Sequence, residues 1–156
     1  MDILDQDIIS LWKCLNNNNV QYIMIGGFAT NLHGYNRATT DIDLWIEDTL
    51  SNRKGLRKAL VEQGSGDYDV IETMDFIPGW TDFQLNFGFK LDVMTAVKGL
   101  ENIGFKDCYK FAVITEIENI QVRFLHLNHL ITCKKATGRL KDLLDVEELE
   151  KIRALK

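Results

Sequence analysis

Two carboxylates, Asp41 and Asp43, stand one residue apart in a stretch where Ile42, Leu44 and Ile46 alternate with them. A period of two is the signature of a strand, and it sends both aspartates to the same face. Side by side, they repel by roughly 4 kcal/mol at about 4 Å and an effective dielectric near 20. A bound proton, a lysine or arginine, or a divalent cation relieves that repulsion. Oxygen-only ligands of this kind suit Mg²⁺ or Mn²⁺ rather than zinc. Upstream, the apolar run Tyr22-Ile23-Met24-Ile25 stops at Gly26-Gly27, a strand-to-helix turn whose bare backbone N–H groups suit phosphate. A phosphate cradle followed by a carboxylate pair points to a nucleoside triphosphate carried with its magnesium. In the loop between them, Arg37 has the planar fork that clamps phosphate, or it is a surface charge or an ion-pair partner for an aspartate. Thr40 is counted with Gly26, Gly27 and Arg37 among the candidate phosphate ligands.

A third carboxylate, Asp92, lies inside Phe89-Lys90-Leu91-Asp92-Val93-Met94 with apolar neighbours on both sides. Buried alone it would be costly, and a cation shared with Asp41 and Asp43 would remove that cost. Asp82 and Asp107 are its rivals for the third place.

Gly26-Gly27, a spacer of thirteen residues, and Asp41-Ile42-Asp43-Leu44 resemble the signature of the nucleotidyltransferase superfamily, whose fold is that of DNA polymerase β. The resemblance implies a magnesium-dependent transfer of a nucleoside monophosphate to an acceptor hydroxyl: an RNA end, a small molecule such as an antibiotic, or a protein side chain. It also implies that Asp41, Asp43 and Asp92 hold the metal. The segment LITCKKATGRLKDLLDVEEL is similar to the C-terminal motifs of the AbiEii-like abortive-infection branch, matching at Lys134, Arg139, Lys141, Asp142 and Asp145. The match implies phosphate or base contacts for Lys134 and Arg139, a catalytic carboxylate at Asp142, and a possible antitoxin as protein partner. Toxins of that branch are often larger, with an added helical domain. The alternative is a module that binds nucleotide, or a toxin–antitoxin partner, without turnover. On bare sequence, the charges of the last helix also fit a solvated, salt-bridged surface.

Around these residues the chain reads as α+β: a mixed sheet flanked by helices, with a helical pair at the C-terminal end. The 156 residues suit one domain, with a core over about 20–125 and helices over about 127–154. A first helix spans residues 5–18, facing the core with Ile8, Leu11, Trp12 and Leu15. A second spans residues 49–63, with Leu56, Leu60 and Val61 inward and Arg53, Lys54, Arg57 and Lys58 on a solvated face. The Ile-Pro-Gly-Trp turn at Pro78 borders a cleft, and Trp80 and Phe83 either stack on a base or pack. Short strands over 111–114 and 120–125 flank an acidic turn. Helices over 127–137 and 140–154 meet at Gly138, the second burying Leu143, Val146 and Leu149. The acidic start of the chain is unlike a signal peptide and no apolar run spans a bilayer, which indicates a cytoplasmic setting. Cys14, Cys108 and Cys133 lack metal-ligand spacing and read as reduced, buried thiols. A net charge of −5 disfavours broad nucleic-acid binding.

Overall fold

The computed structural model describes residues 5–77 and 80–156, and the turn at Pro78 lies outside them. The elements run α1 (Gln6–Asn17), β1 (Tyr22–Ile25), α2 (Gly26–Leu32), β2 (Asp41–Ile46) and α3 (Leu50–Gln63). After a 3-10 turn (Asp69–Glu72) come β3 (Asp82–Gln84), β4 (Lys90–Met94), α4 (Gly104–Phe111), β5 (Val113–Ile117), β6 (Ile120–Phe124), α5 (Leu127–Thr137) and α6 (Leu140–Ala154). The six strands lie in the order β3-β4-β2-β1-β6-β5. β2 pairs with β4, and β1 with β6, in parallel, and the other pairings are antiparallel. The architecture is thus α+β around a mixed sheet, with α5 and α6 as a C-terminal helical pair.

Helix boundaries follow local chemistry. The Asp5 side chain caps α1 by accepting from the Asp7 N–H at 2.8 Å, and Thr49 caps α3 by accepting from the Asn52 N–H at 3.1 Å. Gly64 and Gly138 end α3 and α5 in the left-handed conformation. Between β5 and β6 the chain reverses on two residues, Glu118 and Asn119, both at positive φ. Both faces of β1, β2 and β4 are covered, so Ile42, Leu44 and Ile46 on one side and Trp45 on the other are buried. Trp45 meets Phe105 of α4 edge to face at 5.4 Å.

Several expectations need correction. β3 is an edge strand that its surroundings did not announce, because three residues are too few to show a period. Val61 and Leu143 are about half exposed rather than in the core. Phe111 closes α4 instead of opening a strand. The basic face of α3 is not simply solvated. Arg53 donates to the carbonyls of Ile71 and Met74 and lies 4.5 Å from the Phe76 ring centroid, and Arg57 bonds both Asp67 and Glu72. These two arginines fasten the 65–76 segment to α3.

Asn52 has the same kind of role for the strands. Its side chain accepts from the Gln21 N–H (2.7 Å) and donates to the carbonyls of Gln21 (3.0 Å) and Glu47 (2.7 Å), tying α3 to the adjoining ends of β1 and β2. Asn52→Ala should leave three backbone groups without these partners and cost about 2–4 kcal/mol. Urea unfolding of the two proteins measures it, and a loss under about 0.5 kcal/mol, the scale of an ordinary surface change, would contradict the account.

Candidate active site

Register brings the carboxylates together. In the parallel β2–β4 pair Asp43 lies opposite Asp92, and in the antiparallel β3–β4 pair Asp82 lies opposite Asp92. Asp82, Asp92 and Asp43 therefore form a row across three strands, about 4.8 Å from one strand to the next, and on β1 the row ends at Ile25, beside Gly26. Asp41 stands two residues before Asp43 on the same face. Burial first, then the charges of Asp92 and Asp41, push the Asp43 carboxyl up to about 6, while Lys134 and Lys141 pull it back. Burial, Asp82 and Asp41 likewise raise Asp92, against Lys90. The Oδ1 atom of Asp92 is buried without a hydrogen-bond partner. Of the rivals, Asp82 joins the row, whereas Asp107 lies on α4 with the Lys110 ammonium 3.9 Å away.

The two glycines have different neighbours. Gly26 has φ +66°, and a Cβ there would lie 2.0 Å from Asp43 Oδ2, so only glycine lets the turn pass against the carboxylate. A Cβ at Gly27 would instead meet Thr39 Oγ1 at 2.7 Å. Gly27 thus makes room for the loop before β2, and the space beside its Cα belongs to Thr39.

Facing the row across a cleft of about 380 Å³ are Lys134, Arg139, Lys141 and Asp142 from α5 and α6. Lys134 is only 5% exposed, and its ammonium donates to Asp145 Oδ2 at 2.8 Å and lies 3.8 Å from Asp142 Oδ1. An ammonium has three donors, so this contact leaves donor capacity at the cleft wall. Arg139 Nε and Thr137 Oγ1 both donate to Asp142 Oδ2, at 2.7 and 2.9 Å. Burial works to raise the Asp142 pKa, but the bonds from Arg139 and Thr137 and the charges of Arg139 and Lys134 outweigh it and hold the group low. Asp142, expected as a catalytic carboxylate, stands here as the buried counter-ion of two cations. Arg37, expected on phosphate, is outside the cleft lining: its Nη2 donates to Asp145 Oδ2 at 2.8 Å, with Nε 2.8 Å from Oδ1. Thr40 is exposed and also outside the lining.

Sequence reasoning passed over Asp145, which matched a motif position without receiving a role. It accepts from Arg37 and Lys134 together and so joins the loop before β2 to both C-terminal helices. The signal available was its three-residue spacing from Asp142, which puts both carboxylates on one side of α6. Lys134 is buried between Asp145 and Asp142, so Lys134→Ala would take one cationic partner from each of two buried carboxylates and cost stability. Cys133 lines the cleft as well, but burial pushes its thiol up to about 12, which leaves it un-ionised and a poor nucleophile. Cys14, Cys108 and Cys133 are all free and buried.

Among the described residues, no group of three or more His, Cys, Asp or Glu side chains is placed to hold a metal ion by itself. The donor set nevertheless fits Mg²⁺, which usually takes one or two protein carboxylates and completes its octahedron with substrate phosphate and water. The unpartnered Oδ1 of Asp92 and the strained ionisation of Asp43 are what such an ion would relieve. No described helix is long and apolar enough to cross a membrane.

No family model matches the chain, and no curated protein matches it by sequence. Solved structures do match. A lincomycin-bound lincosamide antibiotic adenylyltransferase, LnuA, superposes with a TM-score of 0.62 at 13% identity, covering 95% of this chain and 97% of that one. A Thermotoga maritima protein assigned as a nucleotidyltransferase gives 0.57 at 16% identity, covering 96% and 91%. An antigenic nucleotidyltransferase-like protein from Paracoccidioides brasiliensis gives 0.56 at 17%, covering 96% and 73%. The chain has the fold these proteins share.

The elevated Asp43 pKa has a consequence for stability. Its folded value, about 6, exceeds the ordinary 3.8, so this group's stabilising contribution is complete below about pH 4 and is lost as pH rises through 6. In metal-free buffer Asp43→Asn should match the native chain at pH 4 and exceed it by about 2–3 kcal/mol at pH 8, at 1.36 kcal/mol per pH unit. Urea titrations at the two pH values decide it. A variant weaker than the native chain at pH 8 would make the carboxylate structural.

Proposed function

We propose that this chain, built on the fold of nucleotidyltransferases, transfers a nucleoside monophosphate from a nucleoside triphosphate to an acceptor hydroxyl. The observation that carries the reading is the register of Asp43 with Asp92, beside Asp41, facing Lys134 across one cleft. Asp41, Asp43 and Asp92 would hold Mg²⁺ or Mn²⁺. The ion would screen charge on the α-phosphate and leaving oxygens. Lys134, Arg139 and Lys141 line the opposite wall, where they favour the β- and γ-phosphates. Gly26 brings bare backbone close to the same end. The row of carboxylates positions the α-phosphorus.

Asp92 is the proton acceptor in this scheme, because its Oδ1 is buried without a hydrogen-bond partner beside Asp43. The acceptor oxygen forms its bond to the α-phosphorus while the bond to the α–β bridging oxygen breaks. The hydroxyl proton passes to Asp92, and pyrophosphate leaves with the bonding electron pair. Arg37 and Asp145 fix the loop that leads into Asp41, so they act on the reaction by placing Lys134 and the strand.

The C-terminal match at Lys134, Arg139, Lys141, Asp142 and Asp145 supports the AbiEii-like branch, and with it a cytoplasmic protein that an antitoxin would restrain. The clustering of buried Lys134, Asp142 and Asp145, with the exposed Arg139 paired to Asp142, is what favours that assignment over a solvated helix.

Incubation with each α-labelled nucleoside triphosphate, Mg²⁺ and either total RNA or a small-molecule extract tests the activity. Label should move to one acceptor class, and Asp43→Asn should reduce transfer by at least about a hundredfold, the scale of a lost electrostatic element of catalysis. Triphosphate binding that survives in the native chain with no transfer to any acceptor would establish the silent-module alternative instead.

A further inference from the structure

We propose that the groove between the end of α1 and the first residues of β1 and β6 is a second nucleotide site, separate from the carboxylate cleft. Its ligand is a nucleotide unit, one planar base with its phosphate, either free or as a residue of an RNA chain. The proposal stands on this groove and does not need the transfer reading.

The groove holds about 480 Å³, within the range of small-molecule sites. It shares no lining residue with the carboxylate cleft. β1 and β6 run parallel, and the groove lies at Tyr22 and Ile120, where the two strands begin. The cleft lies at Ile25, where β1 ends, about 10 Å further along the strand. The groove walls are tied together. The Tyr22 hydroxyl donates to Asn16 Oδ1 at 3.4 Å, and Asn16 Nδ2 donates to the Gln121 carbonyl at 2.7 Å. These bonds join α1, β1 and β6, so a ligand meets a formed surface and need not order it.

Charge selects the ligand. Lys13 and Arg123 line the groove and no carboxylate does. Neither cation has an ion-pair partner among the described residues. Two carboxylates border the groove and both hold other partners: Glu62 accepts from the Asn17 and Asn18 side chains, and Glu118 from Gln6. An anion is therefore favoured inside an otherwise acidic chain.

Shape narrows the choice to a flat ring beside that anion. The Arg123 guanidinium lies 3.8 Å from the Tyr109 ring centroid, and its Nη1 donates to the Tyr109 carbonyl at 3.1 Å. Phe105 stacks on the Tyr109 ring at 5.5 Å and 28°. Planes piled in this way hold the guanidinium flat and offer its outer face to one more ring, the platform on which bases stack. Around it, the side-chain amides of Gln21, Asn119 and Gln121 bond no other described residue. An amide both donates and accepts, which is what the edge of a base requires.

Isothermal titration without Mg²⁺ tests the assignment with the four nucleoside monophosphates, inorganic phosphate and a short single-stranded RNA. One monophosphate should bind at least about tenfold more tightly than inorganic phosphate, the scale of one base stack. Lys13→Glu and Arg123→Gln should each weaken that binding by about fivefold or more, the scale of a lost charge-assisted contact. Lys13 is exposed, so its variant carries the test even where Arg123→Gln proves unstable to heating. Lys141→Glu, in the carboxylate cleft, should leave the binding within about twofold. RNA that displaces the monophosphate identifies the chain as the source of the nucleotide, and RNA that does not identifies the free molecule. Binding no tighter than that of inorganic phosphate, or no binding at millimolar monophosphate, would overturn the proposal. So would binding that Lys141→Glu abolishes and Lys13→Glu leaves unchanged, because the ligand would then lie in the cleft.

Discussion

Like charge held at close quarters is the constraint around which this molecule is built. Register places Asp43, Asp92 and Asp82 in a line, with Asp41 beside them, and partial burial takes from Asp43 and Asp92 much of the water that would screen the repulsion. Opposite charge has to come from elsewhere in the chain. It comes from α5 and α6, which set Lys134, Arg139 and Lys141 over the row, and those cations need counter-ions of their own because Lys134 is itself buried. Asp142 and Asp145 supply them. The result is two layers of charge, in which the cations pull the Asp43 carboxyl part of the way back from the rise that burial and its acidic neighbours impose. Breaking a buried pair by removing one partner is more damaging than never having built it, which makes the network interdependent.

This layering explains why the loop before β2 is short of freedom at several points. Arg37 is bonded to Asp145, the Asn31 side chain accepts from the Arg37 N–H, and Thr39 fills the space beside Gly27. The loop delivers Asp41 to the start of β2, so the C-terminal helices reach the carboxylate row through its approach as well as across the cleft. The solved nucleotidyltransferases that superpose on the chain do so at 13–17% identity. An architecture kept at so low an identity is specified by apolar patterning and a few turns, not by most of the individual side chains.

Where the sequence was legible, strong local periodicity made it so. β1, β2, α5 and α6 were readable to within a residue or two, because alternation or a helical face ran long enough to be seen and glycine marked the ends. The carboxylates were legible for the same reason, since a period of two dictates that Asp41 and Asp43 share a face. What remained hidden depends on distant partners. Arg53 and Arg57 looked like surface charge until the carbonyls and carboxylates of the 65–76 segment arrived beside them. Asp145 and Arg37 lie more than a hundred residues apart, and nothing local to either announces the pair. β3 owes its existence to pairing with β4, so its three residues had no pattern of their own to show.

The contact between Gly26 and Asp43 also constrains how the protein can change over generations. A Cβ at residue 26 would overlap the Asp43 carboxylate, so the two positions cannot drift independently. A lineage that first lost the carboxylate would gain room at the turn, and a small side chain tolerant of positive φ, such as asparagine, would then fit there. Once such a residue had settled, restoring Asp43 would meet a steric barrier that the ancestor never faced. Loss of the acidic group would in that way become a one-way step, closed behind by a neighbour that carries no charge at all.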